Sequence, residues 1–279
     1  MLFDSWFESV HDHISTIASQ IQQALAGPQY VMNDDGQISQ VLGPTGSGHG
    51  ATPGHGTSSS GHGGGHSSTP ASPPPPPPPP PPAGTLVGAA GGFQIDLIWD
   101  ASVANAPAGF KNAIIDAAQL LAPLFTNNEV VNIDIGYGEV AGTAMDSGSL
   151  GQSESYGILS SYAVVTAALA HDNYPVVAAA NAPTGAQFFI TDAEAKTFGL
   201  ISPTSAGVDG FIGLTGSYPM DYSTAGSTAS GMYSAVGVAE HELTEVLGRI
   251  GLEGRVVNGA PTYTPMDLFN YASADHLEL

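Results

Sequence analysis

The feature that most limits how this chain can fold is the stretch 43–84, where Gly, Ser, Thr and His give way to ten consecutive prolines at 73–82. Such glycine- and serine-rich sequence buries too little apolar surface to offset its conformational entropy, so its first part is expected to be disordered. The proline run is expected to be a polyproline II rod of about 30 Å, at ~3.1 Å per residue. It reads as a spacer, or as a ligand for a proline-binding module. His49, His55, His62 and His66 fall in this flexible sequence without fixed geometry and read as linker rather than as a metal site. The chain therefore divides into an N-terminal helix and tail at 1–42, the linker at 43–84, and one folded domain at 85–279.

Before the linker, Phe3, Phe7, Val10, Ile14, Ile17, Ile21 and Leu25 recur at spacings of three and four, which predicts an amphipathic helix over 1–26, ended by Gly27-Pro28. Its apolar stripe can dock on the domain, on a partner or on an export apparatus. Asp4, Glu8 and Asp12 stand where a membrane-surface helix would carry Lys or Arg. The segment also lacks the basic and apolar regions of a classical signal peptide.

Four Lys and Arg against 25 Asp and Glu give a formal charge of −21, which argues against nucleic acid or an anionic membrane as partner. No apolar run approaches the roughly 18–20 residues needed to span a bilayer. With no cysteine, disulfides and thiolate metal sites are excluded, so any metal must sit on nitrogen and oxygen. The acidic, lysine-poor composition suits a secreted or cell-surface protein.

In the domain, Phe93, Ile95, Leu97 and Trp99 alternate with polar residues, as do Val131, Ile133, Ile135 and Tyr137. Both stretches read as strands. The apolar stripe Phe110, Ile114, Ala117, Leu121 and Phe125 between them predicts a helix over 106–125, and strand–helix–strand implies a right-handed crossover between parallel neighbours. Further along, the expectation is a loop over 142–153, a helix over 156–171, a strand at 188–190, a helix from 192 capped by Thr191, and a strand at 209–214. The fold class expected is α/β (α+β).

The most informative helix is expected to begin near Gly231 and carries the stretch 238–249, whose core reads His241-Glu242-Leu243-Thr244-Glu245. Side chains four apart on a helix lie one above the other, so His241 and Glu245 can grip one metal ion while Glu242 reaches a metal-bound water. On the helical wheel Ala235, Val236, Ala239, Leu243, Val246, Leu247 and Ile250 fill one apolar arc and Glu240, His241, Glu242, Thr244, Glu245 and Arg249 the opposite one, so amphipathicity alone makes this an ordinary solvated face. Three carboxylates near a helix C-terminus, with only Arg249 to compensate, conflict with the dipole, and a dication removes that conflict.

From about residue 92 to 271 the chain resembles the zincin metalloproteases. More narrowly it looks like a group of exported bacterial metalloproteases whose active-site helix reads Val-Ala-x-His-Glu-[Ile/Leu]-[Ser/Thr]-Glu-Val-[Leu/Met]-Gly-Arg, followed by Pro-x-Asp-Leu-Phe, here Pro265-Met266-Asp267-Leu268-Phe269. The resemblance implies a mixed twisted sheet packed on helices with the motif helix beneath the active cleft, zinc on His241, catalysis by Glu242, an endopeptidase acting on a peptide or protein substrate, and an edge strand that receives the substrate, for which 209–214 is the candidate. Two positions depart from it: Glu245 replaces the second His, and Gly251 stands where the elongated motif has its third ligand. Glu245 can still bind zinc through oxygen. The third ligand expected is Asp267, with Glu253 as runner-up; Asp267 as a partner of Arg249 is the competing role. Tyr263 or Tyr271 could donate to an oxyanion. The alternative function is a noncatalytic zincin-like interaction module.

Overall fold

The computed structural model describes residues 27–41, 84–171, 184–224, 227–273 and 276–277. The helix expected at 1–26 and the linker up to 83 lie outside them. The turn Asn33-Asp34-Asp35-Gly36 joins β1 (Tyr30–Asn33) to β2 (Ile38–Gln40). After the linker come β3 (Thr85–Gly88), β4 (Gln94–Trp99), α1 (Phe110–Leu121) and β5 (Val130–Tyr137). The alternation that predicted two strands here buries Ile95, Leu97, Trp99, Val131, Ile133 and Ile135. β4 and β5 run parallel with Gln94 opposite Val130, as the crossover through α1 requires.

β6 (Glu139–Val140) and β7 (Thr143–Ala144) form a small ribbon before the long strand β8 (Gly151–Ser161), which runs straight into α2 (Tyr162–His171). This corrects two expectations. The loop expected over 142–153 contains β7 and the first three residues of β8, and the helix expected from 156 starts at Tyr162. Gln152-Ser153-Glu154-Ser155 has no apolar alternation, so its strand is specified by the neighbours that pair with it rather than by its own pattern.

The remaining elements are β9 (Gln187–Thr191), α3 (Asp192–Thr197), β10 (Gly210–Leu214), the paired β11 (Met220–Asp221) and β12 (Tyr233–Ser234), α4 (Ala235–Val246), β13 (Arg255–Val257) and β14 (Ala260–Tyr263). The architecture is mixed α/β: a ten-stranded mixed sheet in the order β13-β14-β9-β8-β10-β5-β4-β3, with β1–β2 attached through β8, packed against helices. β10, the expected substrate edge, instead lies between β8, antiparallel to it, and β5, parallel to it. Both its hydrogen-bonding sides are used, so no extended peptide can add there. Residues 30–40, grouped with the N-terminal tail by sequence, belong to this sheet. No helix of the described residues is long and apolar enough to cross a membrane.

α3 begins with a reciprocal cap, Thr191 Oγ1 accepting from the Glu194 N–H and Glu194 accepting from the Thr191 N–H. Its Lys196 is fully buried and donates to Asp209 Oδ2 at 2.5 Å and to the Val130 carbonyl at 2.7 Å. Asp209 also accepts from the Asn132 N–H at 2.6 Å, so the pair ties α3 to the start of β5 and β10. Lys196→Ala would leave a buried carboxylate without its cation, and is expected to cost about 3–5 kcal/mol, read as a lower urea midpoint. Lys196→Met with Asp209→Leu should recover much of that loss. A midpoint unchanged in the single variant would show that the pair does not hold these segments.

Burial pushes Asp134 up to about 6, Asp192 to about 7 and Glu194 to about 8. Each holds its proton more tightly folded than unfolded, where carboxyls titrate near pH 4. Their contribution to stability is therefore complete below about pH 4 and is lost as pH rises through 6 to 8. In chelator, the thermal midpoint is expected to be higher at pH 5 than at pH 8 by on the order of 5 °C. A midpoint that rises over that interval contradicts this assignment.

Candidate metal centre

Ser234 caps α4, its Oγ accepting the Gly237 N–H at 3.1 Å. The helix buries Ala235, Ala239, Leu243 and Val246, the apolar stripe read from sequence, and with them Glu242. It lies close under the sheet because two strand positions facing it are glycines. A Cβ on Gly151 of β8 would come within 2.3 Å of Glu242 Oε1, and one on Gly210 of β10 within 2.6 Å of the Val246 side chain. Gly248 closes the helix with φ +105°, where a side chain would also collide with Glu194.

The three motif residues occupy different environments. Glu242 is only 5% exposed, and its Oε2 has no hydrogen-bond partner among the described residues. Burial pushes this carboxyl up to about 8, and the nearby Glu245 and Asp34 carboxylates add to the rise, while Arg249 opposes it. Sequence placed Glu242 on the polar arc; the structure places it on the buried one. Glu245, largely buried, accepts from Ser153 Oγ of β8 at 2.7 Å through Oε2. Its Oε1 lies 3.0 Å from Nε2 of His241, which is 57% exposed. Arg249 braces the helix end, donating to Thr244 Oγ1 at 2.7 Å and to the His241 carbonyl at 3.2 Å, with the same guanidinium 3.2 Å from His241 Nδ1.

Asp267 stands elsewhere. Its buried Oδ2 accepts three backbone N–H bonds, from Leu252 at 3.0 Å, Glu253 at 3.2 Å and Thr264 at 2.8 Å. It thereby organises the turn after α4 and is paired neither with His241 nor with Arg249. Glu253 is an exposed turn residue with φ +49°. Tyr263 is buried against Phe188 in a separate apolar cluster, and the side chain of Tyr271 lies outside the described residues. Among the described residues, no three His, Asp or Glu side chains stand already assembled as a metal cluster.

Two of the expected donors nevertheless fit a dication. Tetrahedral ligands at about 2.0–2.2 Å from zinc lie about 3.3–3.6 Å from each other; His241 Nε2 and Glu245 Oε1, 3.0 Å apart as an ion pair, would open by a few tenths of an ångström to share one ion. The orphaned oxygen of Glu242 belongs to the same acidic group. Asp34 and Ser153, which sequence reasoning did not assign to the site, adjoin it. Asn33-Asp34-Asp35-Gly36 between Tyr30-Val31-Met32 and Ile38 is a hairpin signal that could have found the first. Ser153 has no such signal. No family model, no curated protein and no solved structure matches this chain.

Proposed function

We propose that the chain is a zinc-dependent endopeptidase working outside the cytoplasm, with His241 and Glu245 as metal ligands and Glu242 as the proton-transfer group. The observation that carries this is the 3.0 Å approach of His241 Nε2 to Glu245 Oε1 on one helix face, beside a buried carboxyl with an unpartnered oxygen. When bound there, zinc supplies Lewis-acid chemistry, polarising a carbonyl and acidifying water. Glu242, which without metal keeps its proton up to about pH 8, would lose it as the bound cation favours the carboxylate. Its Oε2 would then be the atom placed to accept a proton from water and return it to the leaving amine nitrogen. Ser153 fixes the Glu245 carboxylate, leaving Oε1 directed at His241. For Nε2 to bind metal, His241 must carry its proton on Nδ1, so the Arg249 guanidinium has to leave that nitrogen. Peptide as substrate rests on the helix signature at 238–249 and on the Pro265–Phe269 segment.

One observation favours a second reading, a noncatalytic interaction module. Both Glu245 oxygens already have partners, Ser153 and His241, so the network is self-satisfied without metal. The readings separate on Glu242→Gln, which the enzyme reading expects to retain zinc while losing about 10²–10⁴-fold of its cleavage rate on unfolded casein. Parent protein that binds zinc and cleaves nothing supports the module; a variant as fast as the parent removes Glu242 from the chemistry.

A further inference from the structure

We infer that Asp34 is the third protein donor of this site, so that the cation is held jointly by α4 and by the hairpin that precedes the linker. The inference rests on the reading of His241 and Glu245 as ligands and names the residue that completes it.

Strand pairing brings Asp34 there. β1 runs antiparallel to β8 with Met32 opposite Ser155 and Asn33 opposite Glu154. The Asp34 N–H donates to the Ser153 carbonyl at 3.1 Å, which extends the ladder by one residue and sets Asp34 opposite Ser153. Opposed residues of an antiparallel pair project to the same face, with Cβ atoms about 5 Å apart. Ser153 already holds Glu245 on that face at 2.7 Å. Tyr30 and Met32, two and four residues before Asp34, point the same way and are buried with Phe189, Ile250 and Leu252. The hairpin tip is fixed as well, because the Arg255 guanidinium donates to the Asp35 carbonyl.

The other acids nearby do not compete. Asp146 is engaged by Gln152, whose Nε2 donates to Asp146 Oδ2 at 3.2 Å, and Asp35 is exposed; Asp34 accepts from the Asp35 N–H at 3.0 Å through Oδ1, which leaves its Oδ2 for a cation. Asp34 opposite Ser153, Glu245 on Ser153 Oγ and Glu242 against Gly151 bring three acids to one face of β8, where a dication would draw them together. Glu242 Oε2, buried and unpartnered within this group, is the independent sign that a further atom belongs there.

The test is zinc titration of the full chain after chelator treatment, by calorimetry and by thermal midpoint. Asp34→Asn is expected to bind zinc at least 10-fold more weakly than the parent, with a metal-free midpoint equal to or above the parent's. Its midpoint should also gain less from added zinc. Asp35→Asn should stay within 2-fold of the parent, and Asp34→His, which restores a donor, should recover affinity. Parent-like zinc affinity in Asp34→Asn, together with loss in His241→Ala, overturns the assignment of Asp34 and leaves the helix site standing. Parent-like affinity in both variants overturns the helix site itself. If Asp34→Asn loses zinc only together with its metal-free midpoint, and Asp34→His recovers neither, Asp34 serves to hold the hairpin and the inference fails.

Discussion

The arrangement depends on one carboxyl group wedged between a helix and a strand. Glu242 can lie against β8 only because position 151 is glycine, and α4 can pack so closely only because Gly210 leaves room for Val246. Burying an acid in such a seam is costly unless it is neutral or compensated. Here the nearest charged groups are mostly more acids, Glu245 and Asp34. The chain has four basic side chains, and each is engaged. Lys196 is consumed by Asp209, Lys111 sits 4.8 Å above the Trp99 ring, Arg255 holds the hairpin and Arg249 braces the end of α4. Without a cation Glu242 meets that condition by keeping its proton up to about pH 8; the proposed dication would take the place of that proton.

Asp267 acts on the same site from a distance. By collecting the N–H groups of Leu252, Glu253 and Thr264, it shapes the turn that follows α4. That turn presents Ile250 and Leu252 to Tyr30 and Met32, and so seats the hairpin whose next residues include Asp34. The carboxylate expected from sequence as the third ligand spends Oδ2 on the turn after α4. Three accepted backbone bonds leave it little freedom to turn toward a metal.

What could be read from sequence follows from how each element is specified. β4, α1, β5 and α4 carry their own periodicity, and the Thr191 cap carries its own chemistry, so all were legible. β8 was not, because Gln152-Ser153-Glu154-Ser155 becomes a strand through pairing with β1 and β10. Missing β8 hid both Ser153 and the true neighbours of β10. Of the site, the helical spacing of His241 and Glu245 was legible, and the structure brings those atoms to 3.0 Å. The burial of Glu242 was not, since it depends on a glycine 91 positions away in the chain. The turn signal at Asn33-Asp34-Asp35-Gly36 was legible, but the place of Asp34 beside α4 was not, because a low-complexity linker separates that hairpin from the domain it joins.

The central claim is that α4 offers an imidazole and a carboxylate to one cation. Zinc K-edge absorption of the metal-loaded chain tests it most directly. The account predicts one imidazole nitrogen among oxygen donors at about 2.0–2.2 Å, with the imidazole signal lost in His241→Ala. Zinc that washes off during gel filtration, or a spectrum of oxygen donors alone that is identical in parent and variant, would contradict it.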